Sequence, residues 1–298
     1  GQYLKSMEDG KMSSDKVAVI YAQGDIVDGK GNEDNIASED YRNLIRKVRE
    51  DKSVKAVVFR INSGGGSAMA SENIWRELSL TRKEKPVVVS FGDVAASGGY
   101  YVSCNADSIF AQPNTITGSI GVFSILPNMQ RFFNDKLGVT FDGVRTGPYA
   151  DVNITRPLTP AQKVWLQESV DSIYQTFKGR VAQGRHKEVS YIDSIGQGRV
   201  WSGIRAVQLG LVDRLGGLND AIASAAGMAK LKEYRLREYP EPSGLFEKYF
   251  KAIGDNVRES VLARELGPEA LQGYRSVKNI RGYFGIPQAR MPFDVLVQ

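Results

Sequence analysis

Short apolar runs alternate with stretches of helical spacing along most of the chain. Lys16–Tyr21 (KVAVIY), Val54–Ile61 (VKAVVFRI) and Pro86–Phe91 (PVVVSF) are dense in β-branched residues and read as buried strands. Between them, Tyr41, Leu44, Ile45 and Val48 recur at helical intervals, which predicts a helix from Glu39 to about Asp51 with Ser38 as its cap. A second helix is expected from Ala68 to Leu80, and a third from Tyr100 to Asn105. Strands that are apolar throughout, separated by helices, imply a parallel sheet and the α/β class.

Farther along, Ser108–Ala111 and Asn114–Val122 read as a strand and as a turn with a strand. Leu126–Leu137 is expected to be helical and Val139–Val144 a strand, followed by an irregular loop to Pro157. Thr159-Pro160 opens a long helix to about Gln183, with proline at the favoured first position. Val200–Gly203 is a strand end and helix cap, Leu211–Asp213 a return to the sheet, Gly217–Lys230 a helix and Glu233–Tyr239 a strand. Pro240 and Pro242 mark a change in composition. The expected organisation is a polar lead-in over 1–15, one domain over 16–240 and a helical arm over 241–298 that serves assembly.

Composition narrows the chemistry. The chain has 298 residues, 42% hydrophobic and 24% charged, which excludes a disordered or low-complexity class. Its single cysteine, Cys104, excludes an intrachain disulfide and a cysteine-rich zinc site, and its single histidine, His186, excludes a multi-histidine metal site. The net charge of +5 is scattered, and no tract of the nucleic-acid-binding kind is present. No run of about 18 apolar residues exists to span a membrane. The polar start, without methionine at position 1, gives the expectation that the chain is a piece of a longer protein.

The glycine-rich ends of two strands are where a ligand is expected in an open α/β sheet. Ala95-Ala96-Ser97-Gly98-Gly99-Tyr100 places a serine where a strand turns into a helix, with backbone N–H groups able to stabilise an oxyanion. The plainer alternative is a tight glycine turn with a capping serine. Asn62-Ser63-Gly64-Gly65-Gly66-Ser67 is the second junction; it lacks the Gly-Lys-Ser/Thr of a phosphate loop and the dinucleotide fingerprint. Together they suggest an oxyanion hole with one N–H from each loop and Ser97 as nucleophile. His186 lies in a polar stretch at a helix end, so a desolvated lysine is the alternative base.

Val57–Glu72 (VVFRINSGGGSAMASE), Val87–Ser103 (VVVSFGDVAASGGYYVS), Ile116–Val122 (ITGSIGV) and Val200–Gly217 (VWSGIRAVQLGLVDRLGG) resemble the signal peptide peptidase A, or protease IV, family. The resemblance covers about residues 16–240. It implies a Clp-protease/crotonase-like α/β fold with parallel sheet and flanking helices. It also implies a membrane-associated serine peptidase with a Ser-Lys dyad, which degrades cleaved signal peptides without metal or other cofactor. Ser97 matches the family's nucleophile, Gly98 and Gly66 its oxyanion N–H groups, with Gly65 in support, and Ser119 a serine that orients the lysine. Gly64 stands where the family usually has proline.

At the lysine the chain departs from short members of the family. In Thr146-Gly147-Pro148-Tyr149-Ala150-Asp151, Ala150 occupies the lysine's place, and alanine takes no proton. Long members are tandem duplications in which the second copy carries the serine and the first the lysine. The chain resembles that second copy. The resemblance therefore implies an N-terminal half of the same protein as partner, a ring-like homo-oligomer and signal peptides as substrates. It implies the bacterial inner membrane as location, with the catalytic part facing the periplasm and membrane contact through segments outside this chain. A non-catalytic assembly half and an acyl-CoA enzyme of the crotonase kind are the rival readings. The Val122–Leu126 stretch and the helix N-terminal to Trp75 are weaker candidates for lining substrate pockets.

Overall fold

The computed structural model describes residues 13–32, 34–240 and 287–291. It is α/β. Strands β1 (Lys16–Gln23), β4 (Val54–Ser63), β6 (Val87–Ala96), β7 (Ser108–Ala111), β10 (Arg214–Leu215) and β11 (Arg235–Tyr239) lie in the order β10-β7-β6-β4-β1-β11. Every neighbouring pair in that order is parallel. The central strands are apolar from end to end because both faces are covered; Val57, Val58, Phe59 and Ile61 of β4 are all fully buried.

Helix α7 (Leu218–Met228) covers one face, setting Ala221, Ile222, Ala225 and Ala226 against Val17, Val19, Ala56, Val58 and Val88. On the other face lie α1 (Ser38–Glu50), α2 (Ala68–Arg82), α3 (Gly98–Ser103) and α4 (Pro160–Arg185), packed on Ile20, Phe59, Ile61 and Phe91. The short helices α5 (Val189–Ile195) and α6 (Gly203–Gln208) complete the set among the described residues; the sequence pattern gives no sign of α5. The start of α4 follows its sequence closely. Thr159 and Gln162 form a reciprocal capping box, and Pro160 stands in the first turn.

Past the end of β7, β6 continues its ladder with β8 (Ile116–Gly118), which pairs antiparallel with β9 (Val200–Ser202). Strands β2 (Asp25–Val27), β3 (Asn35–Ala37), β5 (Gly65–Ser67) and β12 (Gln288–Arg290) form a smaller sheet in the order β12-β5-β2-β3. It stands at the carboxyl end of β4, on the second glycine junction.

Several expectations need correction. Ala37, not Ser38, caps α1; Ser38 is its first residue, and its hydroxyl accepts from the Gly29 N–H. The helix expected over Leu126–Leu137 is only a short π-helical turn, Phe132–Lys136. The strand expected over Val139–Val144 is irregular and exposed, for those apolar side chains meet no second layer. The sheet re-entry is Arg214–Leu215; Leu211 and Val212 before it are buried in a loop. Most of the arm over 241–298, and residues 1–12 of the lead-in, lie outside the described residues. The described part of the arm is the strand Gln288–Arg290, where helix was expected. Among the described residues no helix is long and apolar enough to cross a membrane.

Two outcomes are expected from this packing. Phe59→Ala opens a cavity in the middle of β4 and lowers the unfolding free energy in urea by about 3–5 kcal/mol; a loss under about 1 kcal/mol would show that the core collapses around the site. Cys104 is fully buried, and burial pushes its thiol up to about 12. It is expected to resist iodoacetamide at pH 8 in the native protein and to react once unfolded; alkylation of the native protein would contradict that burial.

Candidate active site

The site forms where the two glycine junctions meet, at the carboxyl ends of the adjacent parallel strands β4 and β6. Strand β6 ends at Ala96, and Ser97 adopts the left-handed backbone φ 53°, ψ −114° before α3 begins at Gly98. A serine pays strain for that conformation. Its neighbours fix it there. The Ser97 N–H donates to the Gly118 carbonyl at 2.8 Å, and the Ser97 carbonyl accepts from Tyr101 N–H at 2.7 Å as the first bond of α3. Ser97 is 0% exposed.

Serine anchors hold the other junction. Ser63 Oγ donates to the Gly24 carbonyl at 2.6 Å and accepts from the Gly65 N–H at 3.1 Å. Ser67 Oγ donates to Asp28 Oδ2 at 2.6 Å while accepting from the Ala70 N–H to cap α2. Gly65 has φ 103° and comes up against α3: a Cβ there would stand 2.7 Å from the Gly98 nitrogen and overlap the Ala289 carbonyl oxygen. A Cβ on Gly98 would stand 2.7 Å from Ser71 Oγ and 2.9 Å from the Ala289 carbonyl oxygen. Only glycine allows the junctions to approach this closely. Of the glycines singled out in the sequence, Gly65, Gly66 and Gly98 thus line one cleft with Ser97.

Strand β12 lies in that cleft, antiparallel to β5, with Ala289 opposite Gly66 and Arg290 opposite Gly65. Ala68 N–H donates to the Pro287 carbonyl at 3.2 Å, and Met291 N–H to the Gly64 carbonyl at 3.0 Å. Bonded and non-bonded pairs alternate along an antiparallel ladder. Ala289–Gly66, two residues from each of those bonds, is therefore a bonded pair, and the Gly66 N–H meets the Ala289 carbonyl. On its other side the strand exchanges two bonds with Phe123: Gln288 N–H to the Phe123 carbonyl at 2.7 Å and the reverse at 3.0 Å. The Val122–Leu126 stretch therefore does border the cleft. The helix N-terminal to Trp75 borders it through Ala68 and Ser71 at its start, while Trp75 itself is buried under the Arg180 guanidinium, 4.1 Å from its ring.

Ser119 follows β8, whose Gly118 pairs with Ala96, so it stands one step beyond the end of the same ladder as Ser97. It too has positive φ, 47°, and its N–H donates to the Arg199 carbonyl at 2.7 Å. The Ser97 hydroxyl faces the Gly121 carbonyl at 3.5 Å. Among the described residues no lysine, histidine or carboxylate hydrogen-bonds to it. His186 is exposed at the end of α4 and Ala150 on an exposed loop. Lys136 and Lys163 are exposed, and the buried Lys178 is paired with Asp193 at 2.7 Å.

Beneath the cleft, α3 is tied to α2 and α4. Tyr101 donates to Glu72 at 2.6 Å, and Arg180 pairs with the same carboxylate at 2.6 Å. Burial, then the hydrogen bond to Glu72, raise the Tyr101 hydroxyl well above its ordinary pKa, so it stays a donor. Tyr100 donates to the Leu211 carbonyl at 2.8 Å. Sequence reasoning missed Ser63, Ser67 and Asp28 as supports of the loop; the serines bracketing the glycine run were the visible signal. It missed Ala289 and Phe123 as well.

The family model of peptidase family S49 matches residues 79–232, just over half of the chain. Protease 4 of Salmonella typhi is 41% identical over 257 residues, 86% of this chain and 40% of that protein. The chloroplastic serine protease SPPA of Arabidopsis thaliana is 38% identical over 252 residues, 82% of this chain and 37% of that one. The chain thus spans about two fifths of the length of these curated relatives. A mutant of the 1510-N membrane-bound stomatin-specific protease shares the fold, with a TM-score of 0.50 at 15% identity, over 77% of this chain and 99% of that one.

Gly65→Ala is expected to cost about 1–3 kcal/mol in urea unfolding, from positive φ and overlap with Ala289. Amide exchange should become faster at Met291, as β12 is pushed off β5. Unchanged stability together with unchanged exchange would mean the junctions do not pack as closely as described.

Proposed function

Because the chain belongs to peptidase family S49, we propose that it supplies the nucleophile and oxyanion hole of a serine peptidase whose general base is a lysine from the N-terminal half of the same protein. The observation that carries this reading is the cleft itself. Ser97 stands strained at a strand end, the Gly65 backbone comes close to the Gly98 nitrogen next to it, and no base bonds to its hydroxyl among the described residues. Ala150 in place of the lysine, and relatives more than twice as long as the chain, agree with a site completed from another half.

The chemistry follows from those positions. Ser97 Oγ adds to the peptide carbonyl carbon while its proton passes to the neutral lysine. The carbonyl oxygen, now anionic, is held by the Gly98 and Gly66 N–H groups, supported by Gly65. Collapse of the adduct expels the amine, which takes the proton from the lysine. Water then releases the acyl group by the same route in reverse. Ser119, across from Ser97 just past the Ala96–Gly118 pair, orients the lysine. The substrates are hydrophobic peptides, cleaved signal peptides among them. Val94, Ala96 and Ile116 offer an apolar wall suited to these.

Assembly brings the halves together. Between β8 and α4 the chain exposes Phe132, Leu137, Phe141 and Val144, the last 99% exposed, and such a run of apolar surface fits a neighbouring subunit in a ring. The membrane is met through segments outside this chain, with the catalytic face in the periplasm.

The test is complementation with a fluorogenic hydrophobic peptide. The chain alone is expected to be inactive, and the chain co-folded with its N-terminal half active. Ser97→Ala should lower that activity by roughly 10⁴-fold. Ser97-dependent hydrolysis by the lone chain would place the base within these 298 residues and overturn the split site.

A further inference from the structure

The cleft is already filled, by a strand of the chain itself. Pro287–Met291 is held on both sides by main-chain bonds: to Gly64, Gly66 and Ala68 on one edge and to Phe123 on the other. Such bonds read backbone and not side chains, which is how an extended peptide is taken up at a sheet edge. The side chains fit as well. Ala289 is fully buried, and Met291, 3% exposed, packs with Val94, Ala96 and Ile116. Arg290 pairs with Asp25 at 2.6 Å at the rim. The Ala289 carbonyl oxygen sits against Gly65 and Gly98, Ala289 pairs with Gly66 in the ladder, and Ser97, next in sequence to Gly98, is 0% exposed.

We propose that Pro287–Met291 is an internal substrate mimic, which occupies the peptide cleft with the Ala289–Arg290 bond presented to Ser97 and excludes outside peptides until it is displaced. The mimic rests on the peptidase reading, since it takes the cleft to be a peptide site. It names what the cleft accepts: an extended segment, a small residue at the oxyanion donors and an apolar residue two positions after it. An occupied cleft lowers the apparent affinity for any competitor by the fraction of molecules in which it is open.

The experiment measures binding of a fluorescein-labelled peptide with the sequence of residues 287–291 to three versions of the 298-residue chain: intact, Gln288→Pro and Arg290→Glu. Gln288→Pro deletes the N–H that Phe123 accepts. Arg290→Glu opposes like charges at Asp25 and leaves every main-chain bond in place, so it serves if the proline variant folds poorly. Both variants are expected to bind at least about tenfold tighter than the intact chain. A peptide with tryptophan in place of the alanine should bind neither variant. Equal affinity for all three chains would overturn the mimic and leave the peptidase reading intact. Binding to none, with native thermal unfolding, would contradict both.

Discussion

The backbones of Gly65 and Gly98 come so close that neither position has room for a side chain, and the cleft depends on that approach. It brings the main chains of two separate loops together, next to a serine held in the left-handed region. The approach is a consequence of the sheet. β4 and β6 are parallel neighbours, so their carboxyl ends emerge side by side, and both chains must turn there. Serines 63 and 67 then fix the first turn, and the Gly118 carbonyl fixes the second.

Rigidity below the cleft comes from burial above all. The central strands are apolar on both faces, with α7 on one side and α1 to α4 on the other. Helix α3, only six residues long, would be marginal alone. Its tyrosines anchor it, Tyr100 to the Leu211 carbonyl and Tyr101 to the Glu72–Arg180 pair. The strain at Ser97 is therefore held by contacts distributed over α2, α4 and the loop before β10. The same arrangement leaves the cleft's edges, Gly64–Ala68 and Phe123, with main-chain groups to offer an extended peptide, and β12 uses them.

The parallel strands were legible because burial on both faces writes a continuous β-branched run, as in Val54–Ile61. Ser97 and the glycines were legible because turns at strand ends leave a local signature. The segment from Leu126 to Val144 was misread: its apolar residues carry periodicity but lack a second layer to pack on, so they form neither the helix nor the strand expected. Strand β12 was invisible for a different reason. Three residues, Gln-Ala-Arg, hold no pattern of their own, and their partner lies more than two hundred positions earlier in the chain. The proposal of a base from another half rests, on the sequence side, on one departure from the resemblance to a known family, Ala150.

The most direct test of the central claim is to trap the nucleophile. The chain assembled with its N-terminal half would be treated with a hydrophobic peptidyl fluorophosphonate, and the adduct located by peptide mapping and mass spectrometry. The account predicts a single adduct on Ser97, absent when the N-terminal half is omitted. Labelling of another serine, or none in the assembled protein, would contradict it.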